Sequence, residues 1–271
     1  MPIANLVIIG PPKCGTTSIF DWLSKHPDTC ASKIKETNYF LGRIVKDNKT
    51  ANFEAHGLSR YEELFPDFNG QSVVFESSPG YLGSERALRE FAMFDSPPQL
   101  IFIYRDPAER LYSEFRFSKY KTQSFQGSFE DYIGESLAKP KVEEGKIVTQ
   151  INRWFEHYDH TKILLFHFDD LKKDAKGFMK SLCRKIDIDP EFYTSFFFDA
   201  KNTTVVRRST GLHDFVNLFY KFFPDWARKI IVPIYRRINQ TSLPETTEEE
   251  HALIHKLRVH YKDETWKNIR A

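Results

Sequence analysis

Apolar residues fall along this chain in short continuous runs and in segments of helical spacing, and the two kinds alternate. Leu6 to Ile9 is an apolar run ending at Gly10; after a Pro-Pro-Lys-Cys-Gly turn, Ile19, Phe20 and Leu23 recur at helical intervals. This order predicts strand, loop, helix. Further apolar or β-branched runs at Ser72 to Phe75, Leu100 to Tyr104 and Ile163 to Phe168 are short enough to be buried strands of a parallel sheet. Helical patterns lie between them. Asp106 suits an N-cap and Pro107 the first helical position, so Pro107 to Tyr120 reads as a helix with Ala108, Leu111 and Phe115 on one face. Leu171 to Ile186 reads as another amphipathic helix, and Thr246 to Trp266 as a surface helix. Strands alternating with helices predict an α/β fold, a mainly parallel central sheet with helices on both faces. The whole chain, 1–271, is expected to be one domain, with 210–271 a mainly helical C-terminal part.

Thr210 to Ile238 differs from the rest by alternating aromatic and basic residues, among them Phe219, Lys221, Phe222, Phe223, Trp226, Arg228, Lys229, Arg236 and Arg237. Such a stretch suits helices that pack their rings on a sheet and leave Lys and Arg in water, or else a membrane-surface or acceptor-binding pair of helices.

Composition narrows the class. With 41% hydrophobic and 28% charged residues, the chain has the make-up of a folded globular protein. A formal net charge of +2 is too small to imply wholesale nucleic-acid binding, although local basic clusters can still hold an anion. Cys14, Cys30 and Cys183 are odd in number and widely spaced, which argues against a disulfide framework or a zinc site and suits a reducing compartment. No apolar run approaches the roughly 18 to 20 residues that span a bilayer. The expected setting is the cytoplasm, the alternative being the luminal catalytic domain of a membrane-anchored protein trimmed to this length.

The chemistry concentrates at Gly10-Pro-Pro-Lys13-Cys14-Gly15-Thr16-Thr17-Ser18, which follows a predicted strand and opens a predicted helix. Main-chain amides of such a turn point inward and the helix N-terminus adds partial positive charge, so the segment suits a phosphate and the fold is P-loop-like. Gly15 permits close approach, and the hydroxyls of Thr16, Thr17 and Ser18 offer further donors. The glycine spacing matches G-x-x-x-x-G-K-[ST], but Thr16 stands where the lysine belongs and Lys13 lies inside the loop. Ordinary nucleoside triphosphate chemistry is thereby disfavoured, and a donor with one 5′-phosphate bonded to a transferable group fits better.

This run, with Asp21-Trp-Leu-Ser-Lys-His26-Pro27 after it, resembles the 5′-phosphosulfate loop of sulfotransferases that use 3′-phosphoadenosine 5′-phosphosulfate (PAPS), in particular the carbohydrate and heparan-sulfate-type group and its bacterial relatives. Leu100 to Ser113 is similar to the family's 3′-phosphate motif, which implies Arg105 and Ser113 as ligands; a salt bridge from Arg105 to Glu109 is the competing reading. Lys35-Glu36-Thr37-Asn38-Tyr39-Phe40 is similar to the segment holding the family's catalytic glutamate, which makes Glu36 the candidate base, against a plain solvated carboxylate. Phe75-Glu76-Ser77-Ser78-Pro79 resembles an E-K-T-P segment but carries Ser77 where the family has a catalytic lysine. Glu76 there either orients the acceptor or shares the base role, or simply caps its turn. Asp199 to Ser209 sits where the family closes a loop over the nucleotide, which suggests Arg208, with Lys201, for the 3′-phosphate, or a solvated basic loop.

The resemblance implies in-line sulfuryl transfer to an acceptor hydroxyl or amine, on a saccharide, a lipid-linked hydroxyl compound or another small molecule. Glu36 takes the acceptor proton while Lys13 and the loop amides, Cys14 and Gly15 included, stabilise the departing phosphate. No metal is expected. A P-loop kinase and a catalytically silent nucleotide-binding protein remain the alternatives.

Overall fold

Four of the predicted apolar runs, joined by one short edge strand, meet in one sheet because the runs are buried on both faces. The computed structural model describes residues 3–42, 53–138, 146–198, 206–207, 240–241 and 243–270. Its sheet consists of β1 (Leu6–Gly10), β2 (Thr29–Ala31), β3 (Val73–Ser77), β4 (Gln99–Tyr104) and β5 (Ile163–His167), in the order β2-β3-β1-β4-β5, all parallel. Along β1, Leu6 and Ile8 enter one core while Val7 and Ile9 enter the other, so the run has no polar alternation to show.

Helices α1 (Thr16–Leu23), α7 (Phe168–Lys173) and α8 (Ala175–Lys185) cover the first face. Helices α3 (Glu85–Ala92) and α6 (Ile147–His157) cover the second, with Phe91 and Trp154 fully buried between them and the sheet; a short α2 (Phe53–His56) lies beside this layer. The third cluster joins α4 (Pro107–Arg116), α5 (Phe129–Ala138) and α9 (Glu248–His260). Tyr112 Oη donates to Glu250 at 2.8 Å, and Ile254 and Leu257 pack against the Ala108 and Leu111 face of α4. After α9, the buried Glu264 carboxylate returns to cap α6, accepting from the Val148 amide at 2.6 Å and the Thr149 hydroxyl at 2.7 Å. The C-terminal segment is thus tied to the main body.

Several elements differ from the sequence reading, among them the surface helix expected over Thr246 to Trp266, which runs only Glu248–His260. Phe168 to Lys185 is two helices, because Asp174 leaves helical geometry (φ −146°) and its carboxylate caps α8 through the Gly177 amide at 2.9 Å. The helix expected over Pro107 to Tyr120 ends at Arg116 and widens into a π-helical turn, Phe117–Thr122. The edge strand β2, Thr-Cys-Ala, is too short to register as an apolar run. The aromatic and basic stretch 210–238 lies outside the described residues. Val206–Arg207 pairs antiparallel with Gln240–Thr241, and this small ladder sits against the π-helical turn.

Candidate active site

The strand order reverses around β1: the chain builds β2 and β3 on one side, then crosses to place β4 and β5 on the other. In open parallel sheets the crevice at such a reversal, outside the carboxyl ends of the strands, is where ligands settle. Here it lies between the ends of β1 and β4, adjacent strands with Leu6 opposite Gln99 and Ile8 opposite Ile101.

The loop after β1 is shaped for an anion by two left-handed residues, Lys13 (φ 68°) and Gly15 (φ 79°). Alternating hand in this way turns successive amides to one side. Gly15 is required twice over, since a Cβ there would come within 2.5 Å of Leu171 on α7 as well as being strained by its φ. Gly15 is also the N-cap of α1, and no side chain caps the helix; the first intrahelical bond is Ile19 N to Gly15 O at 3.1 Å. The amides of Thr16, Thr17 and Ser18 therefore lie beyond the reach of that ladder, as the leading amides of any helix do. Of the three hydroxyl residues, Thr17 is half-buried while Thr16 and Ser18 are buried. Cys14 is fully buried; its thiol faces Pro12 O at 3.7 Å, and burial pushes it up to about 12. Its thiol is closed off from a ligand.

Arg105, one residue past β4, reaches across the crevice and donates from Nη1 to Lys13 O at 2.7 Å. Its guanidinium lies over the Phe168 ring at 4.6 Å from the centroid, which leaves its remaining N–H groups at the edge. Glu109, the rival partner, is instead held by Arg258 of α9 at 2.8 Å. Burial lowers the Arg105 pKa from its ordinary value. Ser113 lies on α4, half-buried, two turns beyond Asp106, whose carboxylate caps the helix through Glu109 N at 2.9 Å.

Lys13 is drawn the same way. Its ammonium sits 3.8 Å from the centroid of the Phe117 ring, and burial first, then the neighbouring Lys121, lowers its pKa to about 8. Both cations of the crevice thus rest on aromatic faces contributed by other elements.

At the end of β3, Glu36 N donates to Ser77 O at 2.8 Å, and Ser77 is the register partner of Ile8 on β1. Glu36 therefore stands one strand from the phosphate loop. Its side chain is 54% exposed and paired with Lys35 Nζ at 2.5 Å. Glu36 (φ 64°) and Asn38 (φ 50°) are both left-handed, a costly geometry for non-glycine residues that something must hold. Glu76 holds it. This carboxylate is completely buried and accepts from the hydroxyls of Thr37, Tyr61 (2.7 Å), Ser78 (2.8 Å) and Tyr81 (3.3 Å). Burial raises its pKa despite these donors. A carboxylate enclosed on every side meets no acceptor, so of the two glutamates the geometry leaves Glu36 facing outward. The Ser77 hydroxyl is buried with no hydrogen-bond partner among the described residues. Lys201 and Arg208 lie outside the described residues.

The family model described as "Sulfotransferase domain" matches residues 4–207. The chain belongs to the PAPS-dependent sulfotransferase family. Among curated sulfotransferases it is similar to bifunctional heparan sulfate N-deacetylase/N-sulfotransferase 1 of Caenorhabditis elegans, 27% identical over 204 residues, which is 70% of this chain and 22% of that protein. It is also similar to the membrane-associated sulfotransferase kil1 of Dictyostelium discoideum, 28% identical over 141 residues, 49% of this chain and 28% of the relative. The chain thus spans about a quarter of the length of these relatives. A sulfotransferase crystal structure from Alicyclobacillus acidocaldarius shares the fold at a TM-score of 0.61 and 20% identity, covering 82% of this chain and 93% of that one.

The sequence singles out the loop and Arg105 but not the residues beneath them. Phe117, Phe168 and Lys121 carry no motif; Phe117 and Phe168 look like ordinary core aromatics, and Lys121 like one of many surface lysines. No pattern in the chain sets them apart, because their role comes from which cation the fold lays on them.

Proposed function

We propose that this domain moves the sulfuryl group of PAPS to a hydroxyl or amine of a saccharide acceptor, with Lys13 and Arg105 as the two phosphate anchors and Glu36 as the base. The observation that carries the reading is the meeting of those anchors in one crevice, joined by the bond from Arg105 Nη1 to Lys13 O at 2.7 Å. The residues present fit the donor. Leading amides of α1, the Lys13 ammonium and the Thr17 hydroxyl suit the 5′-phosphosulfate, while the Arg105 edge and Ser113 suit the 3′-phosphate. PAPS supplies the sulfuryl group, whose bond to the 5′-phosphate oxygen breaks as the acceptor oxygen or nitrogen bonds to sulfur.

The chain's own residues have three tasks in that reading. The loop fixes the phosphate end so that the reacting atoms start close together. Lys13 meets the negative charge that grows on the departing phosphate, a charge Ser77 is too short and neutral to share. Glu36 Oε2 accepts the acceptor's proton while Lys35 holds Oε1. The saccharide class is suggested by the name of the heparan sulfate relative. Arg208, with Lys201, is proposed to reach the 3′-phosphate, since the neighbouring 206–207 strand lies beside the π-helical turn.

We read 1–271 as a single catalytic unit. No helix among the described residues is long and apolar enough to cross a membrane. Three free, buried cysteines suit a reducing, cytoplasmic setting, and the membrane-associated relative suits the alternative of a catalytic domain within an anchored protein.

Calorimetry with adenosine 3′,5′-bisphosphate, set against ATP with Mg²⁺, tests the donor assignment: heat of binding with the first and none with the second is expected. Transfer of radiolabelled sulfate from PAPS to an amine-bearing glucosamine polymer, compared with simple alcohols, tests the acceptor. Absence of bisphosphate binding at millimolar concentration removes the whole reading.

A further inference from the structure

The Phe117 ring lies at the start of the π-helical turn that ends α4, and two ammonium groups address it: Lys13 Nζ at 3.8 Å and Lys121 Nζ at 5.4 Å from its centroid. Lys13 comes from the loop and Lys121 from the far end of the same turn, so the ring is where the two segments meet. A regular α-helix would carry Phe117 and Lys121 as i,i+4 neighbours; the wider turn changes the spacing at that point. Aromatic faces attract cations, and more strongly where water is excluded, as it largely is around Lys13.

We propose that Phe117 is a positioning residue, which seats the Lys13 ammonium at the mouth of the phosphate loop and keeps it protonated there, and that Lys121 opposes it across the same ring. This rests on the proposed role of Lys13 in meeting the charge of the departing phosphate. Two opposed influences then govern one proton. The ring face favours the charged lysine, and the second ammonium disfavours it. Among the described residues, the other charged or titratable groups facing Lys13 are Glu114 on α4, which favours the ammonium, Arg105 at the end of β4, which disfavours it, and the Cys14 thiol of its own loop. Glu114 is itself held by Arg110 at 2.6 Å, so its influence stays fixed when the ring is changed.

The consequence is a pair of shifts of opposite sign. Phe117→Leu keeps the burial and removes the aromatic face, so Lys13 should lose its proton at lower pH, by about half a unit to one unit for a cation–π contact of ordinary strength. Phe117→Tyr should restore the original midpoint. Lys121→Met removes the opposing charge and should move the midpoint upward.

The direct test is an NMR titration of the free protein with isotope-labelled lysine, the Lys13 signal being assigned by its loss in Lys13→Met. Wild type is expected to titrate near 8, with Phe117→Leu below and Lys121→Met above. The alkaline limb of kcat should follow the same order. Equal midpoints in wild type, Phe117→Leu and Lys121→Met overturn the proposal, as does a Phe117→Tyr that behaves like Phe117→Leu. Because the titration needs neither donor nor turnover, a protein that transfers no sulfate still decides this inference; if Phe117→Leu fails to fold, the Lys121→Met shift decides it.

Discussion

Burial leaves Lys13 with a pKa of about 8, so it is still mostly an ammonium at pH 7, though a strained one. Its folded pKa lies below the unfolded value, so the unfolded chain binds the extra proton across the interval from about 8 to 10.5, and stability should rise with pH through that window. Lys13→Met removes this dependence. It should melt higher than wild type at pH 7 in differential scanning fluorimetry, while kcat falls by about 10² to 10³-fold. Glu36→Gln is expected to bind adenosine 3′,5′-bisphosphate as wild type does and to lose about 10² to 10⁴-fold in kcat, measured by single-turnover transfer. Retained turnover would remove Glu36 from the chemistry. Arg105→Ala should weaken the bisphosphate by about 10 to 100-fold in calorimetry, the worth of a charge-assisted hydrogen-bonded contact.

At the scale of elements, the segment from Lys35 to Asn38 is a turn bolted to β3, and Glu76 is the bolt. Truncation to Ala strands the hydroxyls of Thr37, Tyr61, Ser78 and Tyr81 and should cost about 3 kcal/mol or more in urea unfolding, with kcat reduced because Glu36 loses its support. Glu76→Gln keeps most partners and should be milder. Because the folded pKa of Glu76 is raised, the contribution of this carboxyl is largest at acid pH and declines as pH rises through the folded value. Wild type should therefore lose ground to Glu76→Gln as pH rises from acid to neutral. Much of the scaffold could be read beforehand, since β1, β3, β4 and β5 are buried on both faces and announce themselves as apolar runs, and Asp106 with Pro107 marks a helix start. Glu76 could not be placed, because its significance lies in four hydroxyls spread over residues 37 to 81. The break at Asp174 was hidden by the apolar spacing of α7 and α8, which continues through it.

For the molecule as a whole, the two proposed phosphate anchors, Lys13 and Arg105, follow adjacent strands while α9 and Glu264 lock the C-terminal segment to α4 and α6. Occupation of the crevice should stabilise the entire fold, so adenosine 3′,5′-bisphosphate at 100 times its Kd is expected to add about 2.7 kcal/mol, seen as a raised melting temperature. ATP with Mg²⁺ should leave it unmoved. Transfer should persist in excess chelator, given that Lys13, Arg105 and the loop dipoles are in place to meet the phosphate charge; a requirement for added Mg²⁺ in the chemical step would contradict that arrangement.

The bond from Arg105 to the carbonyl of Lys13 has one more implication. On the proposed reading, a single peptide unit sets how far apart the two grips stand, so the crevice would gauge the span between phosphates on a ribose. Moving one phosphate from the 3′ to the 2′ oxygen changes that span without changing charge, and the isomeric 2′,5′-bisphosphate should accordingly compete poorly for the site.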